Sequence, residues 1–369
     1  MRARVLAVLV LTSFITASPA TAAQTATESQ LDGAGLYRTA CAACHGPDGK
    51  GAPPQTVGFD IPLPDFTDCR FSSTEADADW MAVVHQGGKA RGFNRMMPAF
   101  GDALSREQIA LVVGHLRSFC GDPGWPRGEL NLPRALVTEK AFPENEAVLT
   151  TGITRKGSAA VTNEFLFEHR LGKHGQYEVV VPFEMLEADG GQWRRGIGDI
   201  AVAYKHVLMH RRERGAILSA GGELILPTGN AAEGLGGEAT VLEPFVTFGR
   251  ILPRDGFLQL HAGVEVPVGD EDAAIETFWR AAVGRTWNER RWFRSWSPMV
   301  EALGSREMTS GEPALWDVVP QMQVSLSTRQ HVLLNAGVKV PVNRRRDRGS
   351  TLMVYLLWDW FDGGVFSGW

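Results

Sequence analysis

Five residues near the start of the chain carry its most specific chemistry: Cys41-Ala42-Ala43-Cys44-His45. Two thiols stand a helical turn apart, and the next side chain is an imidazole. A zinc site would need about two more nitrogen or sulfur ligands at matched spacing, and no second C-x-x-C or C-x-x-H follows. C-x-x-C-H is the attachment sequence for a c-type haem. The thiols form thioethers to the two vinyl groups and the imidazole binds the iron. Cys41, Cys44 and His45 are the expected cofactor residues, and a single motif gives one covalently attached haem c.

An iron held by His45 needs a sixth ligand or an open position. Downstream lies Arg95-Met96-Met97-Pro98-Ala99-Phe100. The proline disfavours helix for the residue before it, so Met97 sits in an extended loop that can offer its thioether. His/Met ligation raises the potential and suits electron transfer. Met97 is the expected ligand and Met96 the second candidate. Both methionines would otherwise be core fillers. His85 and His115 are rival imidazoles that also read as ordinary helix residues.

The chain has 369 residues, far more than the roughly 90 of one small haem domain, so two or more domains are expected. Its net charge of −5 leaves no footprint for a nucleic-acid partner. Arg2 and Arg4 precede an apolar run, Val5 to Ile15, and small residues ending near Ala22 or Ala23. That pattern predicts a secretory signal peptide at 1–23. Export fits haem attachment outside the cytoplasm. In an oxidising compartment the two remaining cysteines, Cys69 and Cys120, are expected to form a disulfide; the alternative is two free thiols. Cys69 is placed in a loop.

Residues 29–120 read as helices and haem loops. A short helix from Leu31 to Thr39 leads into the motif. Pro53, Pro54, Pro62 and Pro64 keep the next stretch extended, and a carbonyl there is expected to accept the Nδ1–H of His45. A helix starting near Thr74 carries Trp80, Met81 and Val84 and ends at Gly87-Gly88. Ser105-x-x-Gln108 is a capping box opening a last helix with Ile109, Val112, Val113, Leu116 and Phe119 on its apolar side. This part resembles the class I cytochrome c domain. The matching residues are Gly35-Leu36-Tyr37, Cys41 to Gly46, Gly49-Lys50-Gly51, Met97-Pro98-Ala99-Phe100 and Leu104 to Ile109. The resemblance implies an all-α fold whose first and last helices cross beside the haem.

Residues 121–146 form a Pro/Gly-rich linker of semi-rigid character. From 147 to 369 the period becomes two. Leu258 to Val266 and Val332 to Val340 alternate apolar residues with polar ones or glycine. About 12 strands of roughly ten residues follow, in an antiparallel up-and-down order. Val181-Pro182, Leu226-Pro227, Val266-Pro267 and Val340-Pro341 form a weak repeat, with each proline expected at a strand end. Such a ring is too wide for one layer of side chains to fill, which favours an outer-membrane β-barrel with its apolar face outward; a soluble sandwich or barrel is the alternative. Gln259, His261, Glu265, Asn335 and Lys339 then face the lumen and Val338 faces lipid. Nine of the 11 tryptophans fall from Trp193 onward, and Trp287, Trp292, Trp296, Trp358, Trp360 and Trp369 suit aromatic girdles. The segment Asn343 to Arg348 becomes an outside loop if the haem domain lies in the periplasm.

The second half resembles outer-membrane porin-like proteins, including transporters whose strands end in Leu-Pro-Thr-Gly-Asn. The whole chain is similar in plan to fused cytochrome–porins, proposed to pass electrons inward from an outside donor such as ferrous iron. In that family the haem segment is a short plug in the barrel. Here a full domain is present, and it is placed at the periplasmic mouth. The resemblance implies an electron carrier, rather than an enzyme with its own substrate chemistry, anchored in outer-membrane lipid. Its partners would be a periplasmic redox protein and an external or lumenal electron donor. The alternative is a solute channel whose haem domain docks to a periplasmic respiratory partner.

Overall fold

The computed structural model describes residues 32–155, 159–188, 191–269, 273–289 and 294–360. The expected signal peptide at 1–23, Trp292 and Trp369 lie outside these residues.

The first part is helical. α1 (Gly33–Ala40) is capped by Asp32, whose side chain accepts from Gly35 N at 2.7 Å. α2 (Ala42–His45) carries the second cysteine and the histidine. α3 (Pro54–Val57) is one turn inside a stretch expected to be extended: Pro54 stands at a helix-compatible first position and Gly58 ends the turn. α4 (Cys69–Thr74) replaces the loop expected around Cys69, because Asp68 accepts from Arg70 N and starts a helix. α5 (Asp77–Gln86) ends at Gly87, at φ 79°. α6 (Arg106–Ser118) opens with the full capping box of Ser105 and Gln108. Leu36 and Tyr37 of α1 pack with Ile109, Val112, Val113 and Leu116 of α6, and with Trp80 and Val84 of α5, as one apolar core. α1, α5 and α6 each have an apolar stripe, and burial of these stripes against one another holds the domain together.

The second part is a closed antiparallel barrel. Its segments are β1 (Glu146–Thr154), β2 (Ala160–Leu171), β3 (Gly175–Glu187), β4 (Trp193–Ile197), β5 (Ile200–Arg211), β6 (Ala216–Leu226), β7 (Thr240–Leu252), β8 (Gly256–Val268), β9 (Glu276–Arg285), β10 (Trp287–Glu289), β11 (Arg294–Glu307), β12 (Leu315–Ser325), β13 (Val332–Pro341) and β14 (Thr351–Asp359). β4 and β5 pair successive stretches of β3, and β9 and β10 pair successive stretches of β11, so 12 strands make the ring. β14 pairs β1 and closes it. Closure removes the sheet edges.

Outward residues are apolar: Leu149, Phe165, Val202, Leu208, Val246, Leu260, Val300, Leu352 and Leu356 are all exposed. Val338 is 38% exposed, while its neighbour Lys339 is half-buried on the opposite register. Gln259, His261 and Asn335 are buried inside. A barrel exposing this much apolar side chain, with polar groups within, is built for lipid outside. Trp287 and Trp296 face each other at one rim, and Trp316, Trp279 and Trp193 lie toward the other. Trp360 is buried instead, stacked on Phe167 at 5.7 Å.

Pro227 follows β6, and Pro267 and Pro341 end or nearly end their strands. Pro182 does not: it lies inside β3. It sits opposite the break between β4 and β5, where the ladder already lapses and Pro182 O accepts from Gly198 N. Pro320 works the same way, beside a gap in β12–β13 pairing between Val318 and Gln321. A residue without an N–H is tolerated where no ladder bond is due.

Residues 128–145 are not a free spacer. They enter the lumen and meet the wall all around. Glu301 of β11 accepts from Leu136 N at 3.1 Å, Val137 N at 3.2 Å, and Thr138 N and Oγ1 at 2.6 Å each. Gln259 donates to Pro133 O, Tyr355 to Arg134 O, Ser219 to Ala141 O and Lys205 to Lys140 O. Arg134 pairs with Glu146 at 2.7 Å and Glu168 at 3.1 Å, and Lys205 with Glu139 at 2.5 Å. Leu132 and Ala135 pack on Phe257, Ala282 and Met299, while Leu130 and Phe142 pack on Val207 and Ile217. Gly249 and Gly337 let the plug approach, since a Cβ there would meet Leu132 at 3.1 Å and Leu136 at 2.7 Å.

Candidate haem site

α1 positions the motif. The Tyr37 hydroxyl donates to Gly46 O at 2.6 Å, which ties the end of C-x-x-C-H back to the first helix. Burial raises the Tyr37 phenol to about 12, so it remains a donor. Gly51 N donates to His45 O and Ala52 N to Cys44 O, closing the following turn over the motif. Cys41 is buried, Cys44 half-buried, and neither is in a disulfide. Desolvation, with the Cys44 charge second, pushes the Cys41 thiol up to about 11.

The His45 ring stands 5.2 Å from Phe66. Burial pushes its pKa below the ordinary value, favouring the neutral imidazole that binds metals. Its Nδ1 is buried and meets no carbonyl, contrary to expectation. Two unbonded thiols on adjacent turns and a half-buried imidazole beside Phe66 fit a c-type haem.

The methionine loop faces the same core. Met97 packs on it beside Phe100 and Leu104, whereas Met96 is 46% exposed. Met97 O accepts from Gly88 N at 3.0 Å, and a Cβ on Gly87 would meet Ala99 N at 2.9 Å. The Gly87-Gly88 bend therefore holds the loop against α5. His115 of α6 packs tilted against Tyr37 and edge-on against Phe119, and His85 lies under the close approach of Gly101. Cys69 and Cys120 are joined by a disulfide that ties α4 to the end of α6.

The domain meets the barrel rim through charge. Asp77 of α5 accepts from Arg117 at 2.8 Å, Arg127 at 2.6 Å and Arg212 of the rim at 2.9 Å. His331 bridges Glu75 at 3.5 Å and Asp359. Arg329 donates to Gly92 O at 2.8 Å. Sequence reasoning missed this clasp and the plug. A signal was present for the plug: Arg134, Glu139, Lys140 and Glu144 in the linker complement Glu168, Lys205 and Glu301 on the polar register of the strands.

Residues 28–116 match the family model described as cytochrome C oxidase, cbb3-type, subunit III. No curated protein matches the sequence of the chain. Among solved structures, the NanC porin is 9% identical with a TM-score of 0.42, over 58% of this chain and 99% of its own. The COG4313 outer membrane channel from Pseudomonas putida F1 is 12% identical with a TM-score of 0.45, over 62% of this chain and 100% of its own. The chain joins a helical part that matches a cytochrome family model to a closed antiparallel barrel of 12 strands.

Proposed function

We propose that this chain is a c-type electron carrier anchored in the outer membrane by its barrel, with the helical domain in the periplasm. Cys41 and Cys44 would attach one haem, and His45 and Met97 would be the ligands to its iron. When bound, the haem supplies one-electron chemistry at a potential raised by the thioether. The residues around it orient and exclude. Tyr37 fixes the end of the motif, Phe66 and Trp80 keep water from the imidazole, and the Gly87-Gly88 bend holds Met97 toward the core. The carrying observation is that Cys41 and Met97, but not Met96, lie in or against one apolar core, and that the His45 ring meets Phe66 of that core.

The plug favours a carrier over a solute channel. The segment 130–145 crosses the lumen on the side of the haem domain, so electron exchange with a periplasmic redox protein needs no open path through the barrel. Met97→Ala should abolish the weak Fe–S absorption band and lower the potential, while Met96→Ala should change neither. Loss of the band in Met96→Ala alone would reverse the assignment. A tag after Arg346 that is unreachable on intact cells would reverse the orientation.

A further inference from the structure

The haem domain, the segment after it and the barrel rim enclose a cavity of about 450 Å³ that plays no part in haem attachment. Three donors at this cavity lack partners. The Ser73 hydroxyl is 2% exposed and makes no hydrogen bond among the described residues. Arg127 Nε–H is buried and unpaired, although its Nη2 reaches Asp77 and Glu129. Arg211 is exposed at the cavity, and among the described residues nothing pairs with its guanidinium. Of the nearby acids, Asp77 and Asp122 are committed elsewhere, while Glu129 meets Arg127 through Oε1 and its buried Oε2 has no partner among the described residues. Asp77 is shared by three guanidiniums, and Asp122 is paired with Lys173. Glu213 also lines the cavity, from the exposed turn beyond Arg212. Buried donors without acceptors cost free energy, and an acceptor-rich ligand would remove that cost.

The position narrows the ligand. The exterior of β5 carries Val202, Tyr204, His206 and Leu208, and then turns to His210, Arg211 and Arg212 at the cavity. That change marks the level where acyl chains give way to headgroups. Trp125, an amphipathic ring suited to the same level, also lines the cavity. We propose that the cavity binds a phosphate-bearing anion through Ser73 Oγ–H, Arg127 Nε–H and the Arg211 guanidinium. The phosphate belongs either to a phospholipid of the adjoining leaflet or to a free phosphate of that compartment. Its ligands come from α4, the linker and the β5 rim, so occupancy fastens the haem domain to the barrel.

The test uses the full-length, haem-loaded protein in two arms. In one, the protein is released for native mass spectrometry from nanodiscs of phosphatidylglycerol and phosphatidylethanolamine. In the other, lipid-free protein in detergent is dialysed to equilibrium against labelled inorganic phosphate. One bound phosphate-bearing molecule per chain is expected. Arg211→Gln, alone and with Ser73→Ala, should weaken it on the order of tenfold with both changes present, leaving the haem spectrum unchanged. Retention in the nanodisc arm assigns the lipid, and binding only in the dialysis arm assigns the free anion. No binding in either arm, or binding that both variants leave intact, overturns the proposal.

Discussion

In the helical domain Leu36, Tyr37, Ile109 and Val112 form an apolar core, and the buried charges Arg91 and Arg117 pair with Asp79 and Asp77. In the barrel Leu149, Phe165, Leu208 and Leu356 lie outside, while Glu168, Lys205, Glu301 and Asn335 are buried within. A helical core needs only apolar complementarity. A barrel with a polar lumen must find a partner for every inward group, from water or from protein. Here the chain supplies the partner itself, as residues 128–145 bring backbone amides, carbonyls and charges to the wall. The plug is thus a polar core, directional where the helical core is not.

That contrast is sharpest at Glu301, which is fully buried and serves three plug amides and a hydroxyl. Glu301→Ala leaves those donors unsatisfied and should weaken the seating of the plug by about 3–5 kcal/mol. Planar-bilayer recordings should show opening bursts absent from the wild type, with haem absorbance unchanged. A silent variant would mean that the apolar contacts of Leu132, Leu136 and Phe142 suffice.

In the helical domain the comparable fastening is covalent. The disulfide spans 51 residues, and replacing Cys69 and Cys120 by Ser should cost about 4 kcal/mol by the chain-entropy account. Thermal loss of the haem spectrum should move to lower temperature, and the barrel transition should stay where it is. If both transitions move together, the two parts unfold as one unit.

The wall gives the next effect. Val338→Arg puts a charge among lipid and should cost about 2–4 kcal/mol, whereas Lys339→Gln, one residue on but facing inward, should cost little. Folding yields into vesicles measure both, and equal costs would undo the inside-outside assignment.

Sequence and structure part company along the same line. The motifs Cys41 to His45 and Ser105-x-x-Gln108 are local, so spacing alone reveals them. The strands are legible too, since a period of two persists whichever strand is paired; only Pro182 departs, because a proline shows where a ladder bond is missing, not which kind of irregularity removes it. The plug was hidden because 121–146 has no periodicity. Its order comes from groups more than a hundred residues away, such as Glu301 for Thr138 and Gln259 for Pro133. The short α4 was hidden because one Asp68 cap decides it.

The smallest effect belongs to the seam between the two parts. Arg212 is 52% exposed where it meets Asp77, so Arg212→Gln should cost under about 1 kcal/mol in domain docking. Acid should be more telling. Burial raises the Asp77 pKa, but the Arg117 hydrogen bond and the Arg127 and Arg117 charges outweigh it and hold the carboxyl below its ordinary value. A carboxyl whose folded-state pKa is depressed stabilises the fold at every pH above its unfolded value, about 4, and loses that contribution only as pH falls through the lower folded value. The seam should therefore hold from neutrality down to about pH 4 and loosen below it, and Asp77→Asn should be weak throughout. Proteolysis within 121–128, measured against pH, follows the seam directly. Loosening already at pH 6 would mean that a group other than Asp77 controls the seam.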